Sequence, residues 1–421
     1  MPKQTTELPR ILIVGTLPYN PNESSRALDT YFHNFPKDKL RMIFSNSAIP
    51  QKGHCGSLFQ ITDYDVLQRL LGKEKEPGRI FEYDKLGDKA ISSSEDKLKR
   101  YKKKNAFRFY ARKRLWSKDR WLSEKLTKWV DEFVPEAIYI CFSDDYFILN
   151  IAYHFAKKYN IPIIAQIGDD YYFKKNKNLF LRPYLRNYKK LFRKIMRLDG
   201  FGVYISDKLA NKYNESFSLQ GYPFYLSTNI KTNKQDVKYE FNYFGKVELG
   251  RDKSLAILGD ALKLINNSHR VNVYTSIISE KKQKFLSKHN CVVKEFLPYE
   301  EAQKIINSGT FNILASGFSK KDIESTRYSL STKVSDLLSS CGPIIAIGPD
   351  DDGAIDFLKE KDCCIMINNK KVDIISLEKQ LKDEKLLKIN IENANKVSNS
   401  LFDVEKNRNK FEQYCLEICK R

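Results

Sequence analysis

Residues Glu136–Gly168 read EAIYICFSDDYFILNIAYHFAKKYNIPIIAQIG. EAIYICF and IPIIAQIG are short apolar runs with the length and composition of buried strands, and DYFILNIAYHFAKKYN between them has the length and spacing of a helix. A strand, a helix and a second strand in succession form a crossover unit, and a parallel sheet needs such units on both faces.

Working outward, the same alternation continues in both directions. Arg10–Gly15 reads as a buried strand, followed by the loop TLPYNPNE and a helix from about Ser24, with Asn22 or Ser24 as its cap. Leu40–Ser45 reads as a second strand. Residues 50–135 are less regular and highly charged, which predicts helices and loops inserted in the scaffold. Beyond Gly168 come a basic helix pair, the strand GFGVYIS and the helix DKLANKY. GYPFYLSTNIKTNKQDVKYE, rich in turn formers and polar residues, reads as a linker. A second series follows: FNYFGK, a helix from Ser254, RVNVYT, a helix over 279–289, CVVKEFL, a helix over 299–308 and TFNILAS. It ends with VSDLLSSC, PIIAIG, a helix around Ala354–Lys361, CCIMIN and helices to the terminus. The fold class is α/β, with two doubly wound domains in tandem facing each other across a cleft. In open sheets of this kind, ligands sit at the carboxyl ends of the strands.

Composition narrows the class. Of 421 residues, 42% are hydrophobic and 13% aromatic, enough for large cores and unlike a disordered chain. No apolar run approaches the roughly 18–20 residues that a membrane span needs, and MPKQTTELPR does not read as a signal peptide. These features predict a soluble cytoplasmic protein. Eight scattered Cys read as free thiols, and five dispersed His show no ligand spacing, so no metal site is expected.

The net charge of +21 is unevenly placed. The chain through Tyr225 has 41 Lys and Arg against 25 Asp and Glu; the remainder has 32 against 27. Lys97–Arg114 and Lys174–Arg197 each hold ten basic residues and no acidic one, interleaved with Phe, Tyr and Leu. Such segments predict a polyanion or an anionic membrane surface as partner.

Two stretches carry candidate chemistry. In YFGKVELGRDKS, Gly245 permits a tight turn after a strand, and Lys246 and Arg251 precede a helix: a diphosphate clamp, aided by helix amides. In RYSLSTKVSDLL, Ser329, Ser331 and Thr332 crowd a helix entrance, where they cap it or leave its amides to a phosphate. Lys333 lies in the first turn, where the helix dipole disfavours a cation, so its presence there implies a nearby anion. Asp336 shares its face and suits a ribose. At the amino-terminal end, Gly15 permits close approach to a substrate, and Arg26 is placed to reach an acceptor or phosphate.

These motifs together resemble a GT-B glycosyltransferase of the large retaining family 4, the type that builds bacterial surface glycans. The resemblance rests on Gly245-Lys246 with Arg251, and on Lys333-Val-Ser-Asp336 leading into Cys341-Gly342-Pro343 and IIAIG. EFLPYEEAQKII matches the family's turn towards the nucleotide base at Leu297–Tyr299, and IPIIAQIGDDYYF and GFGVYIS match amino-terminal strands. The family carries two Glu separated by seven residues on the later loop and helix. Here the second position is Asp336 and the first is Tyr328, where the family's Glu meets the donor sugar. Where the family often has His, this chain has Gly168, Asp169 and Asp170, and the resemblance assigns Asp169 or Asp170 to sugar or acceptor binding, with Asp169 as the catalytic candidate. A paired-Asp metal site is the alternative at those positions; the family generally uses no essential metal and no cofactor.

The resemblance thus implies an acceptor domain over 1–225 and a donor domain over 226–406. A last helix from 407 packs back on the first. It places the diphosphate on Lys246, Arg251, Lys333 and the Ser331–Thr332 amides. It implies a nucleotide-sugar donor, a lipid-linked glycan acceptor and an enzyme peripheral at the inner membrane face, binding no nucleic acid. The other readings are a nucleic-acid-binding protein using the basic segments, or a nucleotide-sugar epimerase of the same shape.

Overall fold

The computed structural model describes residues 7–18, 26–47, 49–86, 106–174, 178–226, 236–276 and 278–420. The cap expected at Asn22 or Ser24, the basic run over 97–105 and the middle of the linker lie outside these. The chain forms two compact units, Met1–Phe224 with Glu405–Arg421, and Tyr225–Val404.

The first unit comprises, in chain order, β1 (Ile11–Val14), α1 (Arg26–Tyr31), β2 (Leu40–Phe44), β3 (Ser57–Gln60), α2 (Asp63–Leu70) and β4 (Arg79–Glu82). It continues with α3 (Ala106–Leu115), α4 (Lys118–Trp121), α5 (Glu124–Asp131), β5 (Ala137–Cys141), α6 (Tyr146–Tyr159) and β6 (Ile163–Ile167). A 3-10 turn at Leu179–Leu181 leads into α7 (Arg182–Ile195), and β7 (Gly200–Tyr204), α8 (Asp207–Asn214) and β8 (Gly221–Pro223) complete the series. The strands make one sheet, β4-β3-β2-β1-β5-β6-β7-β8, parallel except for the β3–β4 pair. β1 is wholly buried, as is β6, which is why both read as unbroken apolar runs rather than alternating ones.

Three expectations need correction here. Residues 50–135 are not merely inserted helices and loops: Ser57–Gln60 and Arg79–Glu82 extend the sheet. They were concealed because β4 is a short edge strand, mostly exposed and charged. The basic helix pair is a single helix, α7, entered through the 3-10 turn. The presumed linker begins with strand β8 and ends inside the next strand.

The second unit runs β9 (Lys238–Phe244), α9 (Arg251–Ile265), β10 (Val271–Tyr274), α10 (Glu280–Lys288), β11 (Cys291–Lys294), α11 (Tyr299–Ile306) and β12 (Thr310–Ala315). Then come α12 (Lys320–Thr326), α13 (Lys333–Leu338), β13 (Ile344–Ile347), α14 (Gly353–Glu360), β14 (Ile365–Ile367), α15 (Ile374–Lys382) and α16 (Glu384–Leu401). The sheet order is β11-β10-β9-β12-β13-β14, all parallel. Counted along the chain this is the doubly wound Rossmann order, with its switch point between β9 and β12. In the first unit the corresponding neighbours are β1 and β5.

The last helix, α17 (Val404–Cys419), belongs to the first unit. Phe411 is fully buried, 5.1 Å from the Tyr31 ring and 5.3 Å from Phe32. Arg408 donates to the Asp29 carbonyl at 3.0 Å. Burying an aromatic of this size stabilises by about 1.5–3 kcal/mol, enough to hold the helix end. Among the described residues no helix is long and apolar enough to cross a membrane, and all eight cysteines are free.

Candidate functional site

β9 ends at Phe244, and the chain must turn at once towards α9. Gly245 makes the turn at φ +121°, where L side chains are strained, and a Cβ there would lie 2.2 Å from Lys333 Nζ. The glycine therefore lets an ammonium rest against the backbone of the turn. Lys333 is carried there by α13, which is anchored by buried Val334, Leu337 and Leu338.

Tyr243 holds the ammonium. Lys333 Nζ donates to the Tyr243 hydroxyl at 3.4 Å and lies 4.6 Å from the centroid of that ring. Tyr243, 1% exposed, donates its own proton to the Lys246 carbonyl at 2.7 Å. Arg251 opens α9 beside the same phenol. Lys333 forms no ion pair with a carboxylate of the described residues. Burial first, then the charge of Arg251, pulls its ammonium down from 10.5 to about 7, with Asp336 opposing. Burial also pushes the Tyr243 phenol up to about 12, against the pull of Arg251. Two cations crowded at a switch point, with no ion pair to a carboxylate among the described residues, make a site that gains from an arriving anion.

Beside it, Asp336 is 5% exposed and accepts from the Tyr299 hydroxyl at 3.0 Å. That bond joins the candidate ribose ligand to the turn at Leu297–Tyr299, where Leu297 is half-buried and Tyr299 39% exposed. Tyr328 and Ser329 lie on the loop between α12 and α13, where the Ser329 amide donates to the Thr326 carbonyl at 3.0 Å. The polar entrance of α13 is not an ordinary hydroxyl cap. Thr332 has helical backbone angles and makes no side-chain cap bond. Ser331 Oγ accepts from the Lys333 amide only at 3.4 Å. Lys246 keeps an exposed side chain and contributes its carbonyl to Tyr243.

Gly245, Arg251 and Lys333 are thus brought together, and Asp336 with Tyr299. Sequence reasoning passed over Tyr243, because FNYF reads as one apolar strand. The available signal was a hydroxyl two positions before a glycine turn, at the buried end of its strand.

In the first unit, Gly15 turns the chain after β1 at φ +87°, and a Cβ there would lie 2.8 Å from the Cys141 carbonyl and 2.5 Å from Ile148. Arg26 is the first residue of α1, and its side chain is outside the described residues. Asp169 and Asp170 follow β6. Asp170 accepts from the Phe173 amide at 2.8 Å and the Tyr213 hydroxyl at 3.1 Å, fastening its turn to α8. Asp169 is exposed, beside the Tyr171 phenol, which burial and this carboxylate together raise. Nearby, Arg108, Phe109 and Arg112 of α3 with Ser143, Asp144 and Tyr171 line a cavity of about 180 Å³. Arg112 bridges Asp63 at 3.0 Å and Asp145 at 2.6 Å.

No family model and no curated protein matches the sequence. Among solved structures, HepE of Anabaena, in complex with UDP-glucose, superposes with a TM-score of 0.60 at 11% identity, over 96% of this chain and 98% of that one. Sucrose-phosphate synthase of Thermosynechococcus elongatus superposes at 0.58 and 9% identity, over 96% and 97%. OtsA does so at 0.53 and 11%, over 98% and 99%. At such identities the likeness is one of fold.

Proposed function

We propose that this chain, whose fold is GT-B, is a glycosyltransferase that moves a sugar from a nucleoside-diphosphate donor to a glycan acceptor. The observation that carries this is the Lys333 ammonium, set against the Gly245 turn with Arg251 near it and no described carboxylate paired to it. When the bond between the sugar and the diphosphate breaks, negative charge grows on the phosphate oxygens. Preset cations there lower the barrier, because they stabilise that charge without reorganising. Lys246 reaches in from the open side of the turn, and the Ser331–Thr332 amides add donors. Asp336, oriented by Tyr299, takes the ribose hydroxyls, and Leu297 faces the base. Tyr328 stands on the loop nearest the sugar. UDP-glucose bound to HepE on the same fold supports a nucleotide-sugar donor.

The acceptor falls to the first unit, with Gly15, Arg26, Asp169 and Asp170 around its strand ends. In this reading the transfer retains anomeric configuration and uses the clamp cations in place of a metal. The acceptor is a lipid-linked glycan of surface-polysaccharide synthesis, met at the inner face of the cell membrane. A panel of nucleotide sugars tested by thermal melting checks the donor. One of them raises the melting temperature, since a ligand of the folded state stabilises it; no response to any would sink the reading. Release of nucleoside diphosphate only when a glycan acceptor is added separates transfer from epimerisation.

A further inference from the structure

Large apolar side chains project from the first unit at one place where two remote segments meet. Phe107 of α3 is 79% exposed, and Leu179 and Phe180 of the 3-10 turn before α7 are 60% and 81% exposed. The segments are held together: the Tyr110 hydroxyl donates to the Phe180 carbonyl at 2.9 Å and accepts from the Tyr184 amide at 3.1 Å. The Phe109 ring lies 5.1 Å from that of Tyr184. The tip is therefore built on fixed structure.

The charge on the adjoining α7 is one-signed. α7 buries its aromatic face, Tyr184, Tyr188 and Phe192, in the core of the unit and turns Arg182, Arg186, Lys190 and Arg193 outward. These four form no ion pair among the described residues, and no acidic residue lies between Lys174 and Arg197. The aromatic residues of α7 thus serve packing, and its cations are what faces solvent. Apolar contact with a partner has to come from Phe107, Leu179 and Phe180.

We propose that Phe107, Leu179 and Phe180, flanked by the outward cations of α7, seat this protein on an anionic lipid bilayer. Basic side chains draw a surface towards phosphate headgroups, each contributing roughly a fivefold gain in partition at low salt, and exposed apolar tips enter the headgroup region. A single-stranded nucleic acid is the less suited partner: Leu179 offers no π-face for a base. The inner face of α3, through Arg108, Phe109 and Arg112, lines the 180 Å³ cavity. α3 therefore connects the bilayer surface to the strand ends, and a lipid-linked acceptor would extend from one to the other. That last step rests on the transferase reading; the seating does not.

Vesicle flotation tests it, with mixed phosphatidylglycerol and phosphatidylcholine against phosphatidylcholine alone. The wild-type chain floats with the anionic vesicles only, and less so as salt rises. Replacing Phe107, Leu179 and Phe180 together by Ser lowers the bound fraction at least tenfold, while the melting curve and nucleoside-diphosphate affinity stay unchanged. Arg182→Gln with Arg186→Gln lowers it severalfold. In a second measurement, Phe180→Trp shifts its emission to the blue on anionic vesicles, a change visible because Trp116, Trp121 and Trp129 are all buried. Wild-type binding that ignores lipid charge, full binding by the triple Ser variant, or tight binding to single-stranded oligonucleotides in place of vesicles overturns the proposal. None of these outcomes touches the donor site, which titration with nucleoside diphosphate reads separately.

Discussion

The two switch points of this molecule share a topology and differ in chemistry. After β9 the chain turns on Gly245 into a neighbourhood of Lys333, Arg251 and Tyr243, where positive charge lacks a paired acid. After β1 it turns on Gly15, and in that unit Arg112 bridges Asp63 and Asp145 while Asp170 fastens a turn. A reversal of strand order, shared by the two sheets, places both at strand ends. What occupies each is decided by whether the charges there are already satisfied. Cations without an ion-pair partner favour an anion from outside; carboxylates already bridged and hydrogen-bonded suit a neutral, hydroxyl-rich ligand.

The largest test removes the unsatisfied charge. Lys333→Met is expected to weaken nucleoside-diphosphate binding about a hundredfold or more by calorimetry, the loss usual for a close interfacial charge. The same change should raise the melting temperature of the ligand-free protein by about 2–4 °C for roughly 1 kcal/mol, because a half-buried cation without an ion-pair partner has gone. Unchanged affinity would break the contrast between the switch points. The sign with pH follows. An unfolded Lys stays protonated to 10.5, whereas Lys333 loses its proton near 7, so the unfolded chain binds more protons between these values. Its burden on stability is full below pH 7 and is relieved as pH rises to about 10.5.

A bound diphosphate returns the proton. Affinity should therefore fall as pH rises above about 7, approaching tenfold per unit, with proton uptake seen by calorimetry in buffers of different ionisation enthalpy. Lys333→Arg, which stays charged, should flatten the profile. A smaller effect is expected at Gly245→Ala, where a Cβ meets both a positive φ and the ammonium. It should cost about 1–3 kcal/mol, shared between stability and nucleotide affinity. Least affected at the donor site is Asp170→Asn. It should lower the melting temperature by the equivalent of about 1 kcal/mol, because the oxygen that accepts from Phe173 and Tyr213 loses its charge and both bonds weaken. Nucleotide affinity should stay unchanged, and a drop would give Asp170 a part in nucleotide binding.

Most of the fold was legible because parallel strands are buried on both faces and so appear as unbroken apolar words: ILIV, IIAQI and IIAI stand out unaided. β4 did not, since RIFE is an edge strand with a charge at each end. α12 was also passed over: KKDIEST is short and has no buried residue to give it a period. Within the candidate donor site, Gly245, Lys246, Arg251, Lys333 and Asp336 were picked out because glycine, Lys, Arg and Asp are conspicuous beside strand ends. Tyr243 escaped notice because a buried Tyr is indistinguishable in sequence from a core aromatic. On the basic segments, sequence showed charge and aromaticity together but not which way each pointed.

Local chemistry alone thus determined where strands and helices alternate, where charge gathers and which turns need glycine, since these depend on neighbours a few positions apart. Only tertiary structure decided that Lys333 would meet a turn 88 residues earlier in the chain, that its proton would be loosened there, and that Tyr243 would hold it. It likewise decided that the rings of α7 would turn inward while Phe107 and Phe180 turned out. Those outcomes depend on burial and on contacts between distant segments, and neither is a property of any short stretch of sequence.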